Sequence, residues 1–389
     1  MTDDLLRIDD EDRYSRLRLI SWWNQEKLAA AKVLVVGAGA LGNEVLKNLA
    51  LLGIGRIFVI DFDEIESSNL TRSVLFRAKD AGRPKCEVAA DALSDLNPDV
   101  TTTPIHGNVM TELGLGLIAE MDVVIGCLDN REARLWVNRA CWKATTPWID
   151  GGIQEISGVV KVYVPPDGSC YECTMTENDY RLINLRYSCP LLRAEDLQAG
   201  KVPTAPTISS MIGGLQTQEA LKLIHGMDAA EGEAMIFNGV ANRFYRSKLP
   251  RREDCLSHDT YPQPVELDLS ARENTAAELF AAARKTLESD APLELALDRD
   301  LVIDLTCSEC DKVRRVMRPS DAVGMKDAQC CDQTMQPNMV HAVVENSDLA
   351  AEKLCDLTIP ILEWVRIQCD GDEQIFSFAK DREQCGWFD

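Results

Sequence analysis

The stretch "KVLVVGAGALGNEVLKNLALLGI" constrains this chain more than any other. "KVLVV" is a continuous apolar, β-rich run of the kind found in parallel strands buried on both faces. It leads directly into Gly37, Gly39 and Gly42, then into a helically periodic segment that ends at Gly53. A strand, a glycine turn and a helix in that order bring backbone N–H groups to a helix start, where a phosphate can approach them closely. "RIFVIDFD" is a second buried strand. It places Asp61 at its end, where a carboxylate can grip a ribose hydroxyl, with Asp63 two positions on. This unit suits NAD, FAD or ATP alike.

The alternation continues. "PKCEVAADALSDLNP" has helical periodicity, "MDVVIGCLDN" is a third strand, "REARLWVNRACWKA" a helix and "PWIDGGI" the start of another strand. Such βαβ order predicts an α/β fold, a Rossmann-like domain with a mainly parallel sheet covered by helices. "GVVKVYVPPDGS" opens a less regular region, followed by the long helix "TAPTISSMIGGLQTQEALKLIHG" and the paired strands of "EAMIFNGVANRFYRSKLPRREDC". Past residue 261 the texture changes to one amphipathic helix, "ENTAAELFAAARKTLESD", among strand-like runs such as "NMVHAVV" and "LEWVRIQ". The expected organisation is residues 1–261 as the first domain and 262–389 as a smaller α+β domain; 389 residues suffice for two.

A net charge of −22 weighs against nucleic acid or an anionic membrane as partner, because the long-range field repels both. The acidic start "MTDDLLRIDDEDRYSR" is unlike a signal peptide, and no apolar run reaches membrane-spanning length. A cytoplasmic location is expected, so the 14 cysteines point to metal binding or catalysis rather than disulfides.

Four charged or polar positions narrow the nucleotide chemistry. Asn69 and Arg72 lie in "NLTRSVLF", Lys85 in "GRPK", and Asp129 in "CLDN" at the carboxyl end of a strand. Arg72 and Lys85 can neutralise a departing pyrophosphate, and Asp129 can hold Mg²⁺. An NAD-dependent oxidoreductase, which transfers hydride and releases no phosphate, has no use for them. A scaffold without catalytic activity would be expected to have lost them.

Together "GAGALGNE", "DFD", "NLTRS", "RPK" and "LDN" resemble the motif set of the adenylating enzymes that activate ubiquitin and ubiquitin-like proteins. That family includes ThiF-type and molybdopterin-synthase adenylyltransferases. The resemblance runs from about Arg13 to about His258. The chain departs from it at Ser73, where glutamine is usual, and at Ala40, where a second glycine is common. The resemblance implies a ThiF-type adenylation domain. In its reaction a carrier protein's C-terminal glycine carboxylate attacks the α-phosphate of ATP. Asp61 would bind the ribose, Asn69, Arg72 and Lys85 the phosphates, and Asp129 the magnesium. "RYSRL" matches a segment that, in homodimeric relatives, sends an arginine into the neighbouring subunit's site, which makes Arg16 the candidate. A homodimer is the expected assembly, with a heterodimer alongside an inactive sibling left open.

The cysteines divide by position. "CYEC" is a metal half-site, since Cys170 and Cys173 can face one ion through a tight turn. The family's second C-x-x-C falls where this chain has "CLSH", which makes Cys255 and His258 the other two ligands of a Cys3His zinc site. Cys189 precedes "PLLRAEDLQAGKVPT", within a crossover loop of about residues 174–207. It resembles the nucleophile of the thioester-forming branch, which takes the acyl group from the adenylate and hands it to a conjugating enzyme. The alternatives are a sulfur-carrier adenylyltransferase without thioester transfer, and a Cys189 that is only a small buried hydrophobe. In the second module, "CSEC" and "QCCD" supply Cys307, Cys310, Cys330 and Cys331 and resemble a zinc ribbon. Adjacent strand residues point to opposite faces, so a bend or left-handed residue is required for Cys330 and Cys331 to ligate together. His341 is a weaker substitute. The expected cofactors are ATP, Mg²⁺ and Zn²⁺.

Overall fold

The computed structural model describes residues 12–187, 203–287 and 291–388. Its first sheet is built from a short helix α1 (Gln25–Ala30) and then β1 (Lys32–Val36), α2 (Ala40–Leu52), β2 (Arg56–Asp61), α3 (Lys85–Leu96) and β3 (Thr101–His106). The short helices α4 (Val109–Glu112) and α5 (Leu115–Ala119) lead to β4 (Val123–Gly126), α6 (Arg131–Lys143) and β5 (Trp148–Gln154). Then come β6 (Ser157–Tyr163), α7 (Glu177–Tyr187), α8 (Pro206–His225), β7 (Glu233–Asn238) and β8 (Arg243–Lys248). The strands form one eight-stranded sheet in the order β3-β2-β1-β4-β5-β6-β7-β8. From β3 to β5 every pair is parallel, and from β5 to β8 every pair is antiparallel.

The apolar runs of β1, β2 and β4 are continuous because each strand feeds two cores. Val33, Val35, Ile57 and Val59 join Ile125 under α2, α3 and α8. Leu34, Val36, Phe58 and Ile60 join Val124 on the opposite face, under α5 and α6. The period-2 alternation of strand side chains produces that division. Gly53 closes α2 in the left-handed region, with φ 75°. No helix among the described residues is long and apolar enough to cross a membrane.

The second sheet contains β9 (Val265–Leu267), β10 (Glu294–Thr306), β11 (Val313–Pro319), β14 (Gln336–Val344), β15 (Val365–Cys369) and β16 (Asp372–Phe378). Helices α9 (Ala276–Ala283) and α10 (Ala379–Gln384) accompany it, and a two-stranded hairpin, β12 (Gln329–Cys330) with β13 (Gln333–Thr334), stands apart. Its order is β11-β10-β15-β16-β9, with β14 also paired to β10. The chain then returns to the first sheet. Ile361 and Leu362 are buried in the α5–α6 core, and the Leu362 carbonyl accepts from Gly116 N–H at 2.8 Å. The Phe388 ring lies 5.8 Å from Phe58, and Arg56 Nη1 donates to the Trp387 carbonyl at 2.5 Å. The last described residues therefore fasten the second sheet to the first.

Candidate functional site

The site lies at the carboxyl ends of β1, β2, β4 and β5, the edge where open parallel sheets bind ligands. The three glycines of the first loop have three different reasons. Gly37 has φ +99°, and a Cβ there would stand 2.6 Å from the Cys127 carbonyl oxygen. Gly42 has no room, because a Cβ would stand 1.9 Å from the Gly37 carbonyl oxygen. Gly39 has an ordinary φ of −73°, and a Cβ on it would meet no protein atom within 4 Å. The protein's own packing makes no demand for glycine at that position, and the space beside it is open. Gly39 is also the N-cap of α2 and offers no side-chain cap, so the orphan N–H groups of the first turn remain available. Ala40 stands at the first helical position without positive φ, so the absence of a further glycine costs nothing there.

The loop is braced on two sides. Asp61 Oδ2 accepts from Ala38 N–H at 2.6 Å and Oδ1 accepts from Asp63 N–H at 2.8 Å. Burial raises the pKa of the Asp61 carboxyl, with Lys85 pulling the other way. Asn43 Nδ2 donates to the Ala38 and Gly39 carbonyls at 2.8 and 3.0 Å, and its Oδ1 accepts from Leu75 N–H at 2.9 Å. Asn43 thereby locks the glycine loop to the segment that carries Asn69 and Arg72. In that segment Asn69 Oδ1 accepts from Glu66 N–H at 2.9 Å, and Arg72 Nη1 donates to the Ser68 carbonyl at 2.8 Å. Ser73 is buried.

Lys85 opens α3, and its Nζ sits 2.6 Å from Asp63 Oδ2. Asp63 therefore holds the lysine. Asp129 is exposed in the turn after β4, and the next residue, Asn130, caps α6 by accepting from Ala133 N–H at 2.8 Å. Behind that turn lies an ion pair between half-buried Arg134 and buried Asp150. Arg134 Nε donates to Asp150 Oδ1 at 2.8 Å, while its Nη2 donates to the Leu128 and Gly151 carbonyls at 2.5 and 3.0 Å. Arg134 so fixes the residue preceding Asp129. Lys161, opposite Asp150 in the β5–β6 register, is held below its ordinary pKa by burial, against the pull of Asp150. Gln216, from α8, donates to the Gly126 and Ile149 carbonyls at 2.9 and 3.3 Å and ties together the ends of β4 and β5.

Arg16 stands elsewhere. Its neighbour Tyr14 packs on Gly53 and takes a hydrogen bond from Asn97 at 2.7 Å, so the segment sits at the far end of α2 from the glycine loop. Thirteen residues of helix span about 20 Å, beyond the reach of an arginine side chain. Arg16 is exposed.

Cys170, Cys173, Cys255 and His258 come together with all four ligand atoms within 4.8 Å of one another. The Sγ atoms of Cys170 and Cys173 are 3.7 Å apart, those of Cys170 and Cys255 3.4 Å, and Cys173 Sγ lies 3.3 Å from His258 Nε2. Thiolates at about 2.3 Å from a tetrahedral zinc lie about 3.8 Å apart, so this donor set fits zinc. The His258 ring stacks on Trp142 at 4.9 Å. The buried Glu172 carboxylate binds Arg139 at 2.8 Å and accepts from Tyr180 and Ser257, fastening the knuckle to α6. Cys307, Cys310, Cys330 and Cys331 gather as a separate group, and His341 pairs with Asp300 at 2.6 Å instead of joining them. Cys86 and Cys141 are buried in the core and Cys127 is half-buried. Cys189 lies outside the described residues.

The sequence motifs place the glycine loop, Asp61 and Lys85 at one edge of the sheet and bring the first four metal-capable residues together, but they give no sign of the bracing by Asn43 and Arg134. Asp150 and Gln216 are the other two bracing residues. The signal for these two was present. Asp150 is a charge inside an apolar strand, and Gln216 a polar residue within the apolar run of a long helix.

The ThiF family model matches residues 12–257. The chain is 34 % identical over 254 residues to the sulfur carrier protein ThiS adenylyltransferase of Escherichia coli, covering 64 % of this chain and 96 % of that protein. It is 31 % identical over 254 residues to the SAMP-activating enzyme E1 of Haloferax volcanii, covering 63 % of this chain and 87 % of that protein. Among solved structures, E. coli MccB with ATP matches with a TM-score of 0.54 and 27 % identity, over 67 % of this chain and 77 % of that one.

Proposed function

The chain belongs to the ThiF family, and we propose that it activates the C-terminal carboxylate of a ubiquitin-like carrier protein by ATP-dependent adenylation. The observation that carries this reading is Gly39, a glycine that neither backbone conformation nor packing requires, at an uncapped helix start beside Asp61. The residues present fit ATP. Orphan N–H groups of α2 and the cations Arg72 and Lys85 suit its phosphates, and Asp61 suits its ribose. Asp129 would hold a divalent cation, which supplies charge neutralisation at the phosphates.

In the step itself a carboxylate oxygen of the carrier bonds to the α-phosphorus and the bond to the β-phosphate oxygen breaks, releasing pyrophosphate. The protein's part is to align the two reactants and to offset the leaving charge. Arg134 and Gln216 act one layer back, by fixing the turn that carries Asp129 and the strand ends beneath it.

The relatives support a sulfur carrier as the partner, since the ThiS adenylyltransferase aligns over nearly its whole length. Passage of the acyl group to Cys189 and on to a conjugating enzyme is the second reading. What favours it is Cys189's place, sixteen positions past the knuckle cysteine Cys173 and two past the end of α7. The position of Arg16 at the far end of α2 supports a homodimer in which each subunit lends that arginine to the other.

Carrier-dependent exchange of labelled pyrophosphate into ATP tests the adenylation. It should occur in the wild type and be lost in Asp129→Ala; exchange at the wild-type rate in that variant contradicts the assignment. Cys189→Ala should retain exchange. Loss of a reductant-sensitive carrier adduct in that variant supports the second reading. Its absence already in the wild type, alongside normal exchange, leaves the sulfur-carrier reading in place.

A further inference from the structure

The second group of four cysteines lies outside the family match, at the tip of the second sheet. Cys307 and Cys310 fall in the turn between β10 and β11, where Cys307 N–H donates to the Lys312 carbonyl at 3.0 Å and Asp311 has φ +56°. Cys330 ends β12, and Cys331 and Asp332 are the two turn residues before β13, with φ +49° and +56°. Both central residues of this two-residue hairpin are left-handed, a conformation for which Asn-Gly is the usual choice. Cysteine and aspartate adopt it only with backbone strain. The consequence is a specific one. On a regular strand Cys330 and Cys331 would face opposite ways. Here their Sγ atoms are 3.9 Å apart, and Cys310 Sγ is 3.7 Å from Cys330 Sγ. These spacings match the roughly 3.8 Å between thiolates sharing a tetrahedral zinc, and all four Sγ atoms lie within 4.8 Å.

An independent observation is the poverty of the local core. Around this tip the buried apolar residues are Val302, Leu305, Cys307, Val323, Ala328 and Met335, and one of those six is itself a member of the group. Segments of this size are normally folded by a staple rather than by apolar burial. Ser308 Oγ to Gln333 Oε1, at 3.3 Å, links the two turns only weakly.

We infer that Cys307, Cys310, Cys330 and Cys331 bind one zinc ion as a tetrathiolate, and that this ion holds the tip of the second sheet folded. The inference is independent of adenylation. Cys310 and Cys331 are exposed, whereas Cys170, Cys173 and Cys255 are buried, so a chelator reaches the tip ion first.

The test is metal analysis and native mass spectrometry of the full chain, purified without chelator. Two zinc ions per chain are expected, and one in Cys310→Ser, with carrier-dependent pyrophosphate exchange unchanged. Stepwise EDTA addition to the wild type should release one zinc before the other, with amide exchange rising first in residues 307–335. A single zinc that Cys310→Ser does not alter overturns the inference, as does a chain lighter by two hydrogens, which denotes a disulfide. If Cys310→Ser does not fold, the EDTA titration of the wild type decides: release of two zincs with early loss of protection at the tip supports the site, and one single-phase release refutes it.

Discussion

Replacing Asp150 with alanine should destabilise the protein because it leaves Arg134 charged, largely shielded from water and without its carboxylate. The side chains of Arg134 and Asp150 are 16 % and 4 % exposed, and their bond is 2.8 Å. Breaking such a pair by removing one partner costs about 3–5 kcal/mol. Two carbonyl partners of Arg134 survive the change, at 2.5 and 3.0 Å, so the low end, about 3 kcal/mol, is expected. Lys161 also faces Asp150, and burial holds its pKa below the ordinary value, whereas a guanidinium stays charged throughout. In a folding unit of this size about 3 kcal/mol lowers Tm by roughly 6–12 °C. Removing both charges, as Arg134→Met with Asp150→Ala, should cost less than the sum of the single changes by about 2 kcal/mol. The double variant should still exchange pyrophosphate poorly, since the Leu128 carbonyl beside Asp129 has lost its tether. Thermal unfolding by circular dichroism measures the cycle. A shift of under about 2 °C in Asp150→Ala, or strictly additive single effects, would refute the reasoning.

Four further outcomes are expected. Gly42→Ala should lower stability by about 1–3 kcal/mol, because its Cβ meets the Gly37 carbonyl. Gly39→Ala should leave Tm nearly unchanged yet weaken ATP binding at least about tenfold by calorimetry, the methyl group occupying space a phosphate needs; normal binding in that variant would remove the glycine argument. Cys170→Ser should release one zinc per chain and cost about 4 kcal/mol or more, read from elemental analysis and Tm. Burial pushes the Glu363 carboxyl up to about 8, against N–H bonds from Leu115 and Trp364. Between its ordinary value of about 4.3 and 8 the folded chain holds a proton that the unfolded chain has lost. Stability should therefore fall as pH rises through that window, by up to about 1.4 kcal/mol per unit, and Glu363→Gln should flatten the slope in urea unfolding. Equal slopes in the two proteins would show that this carboxyl is not responsible.

What was legible in the sequence is what depends on local spacing. The glycine loop, Asp61 at a strand end, Lys85 at a helix start and the C-x-x-C pair each need only neighbours along the chain. Even the left-handed residue demanded by adjacent cysteines was foreseeable, and Cys331 provides it. What was not legible depends on long-range register. Arg134 and Asp150 look like ordinary charges until α6 is laid against the end of β5. Asn43 looks like a polar helix residue until Leu75 arrives to donate to it. Trp387 and Phe388 read as part of a second module, yet they pack on the α5–α6 core of the first sheet. Aromatic composition marks burial without saying against what.

The most direct test of the central claim is the intact mass of a ubiquitin-like carrier ending in glycine, incubated with this protein, ATP and Mg²⁺ and quenched in acid. The account predicts a carrier heavier by one adenylyl group, labile to hydroxylamine, formed with release of pyrophosphate and absent with Asp129→Ala. A carrier that stays unmodified across the ThiS-like and other glycine-terminated candidates, while ATP is consumed or left untouched, would contradict it.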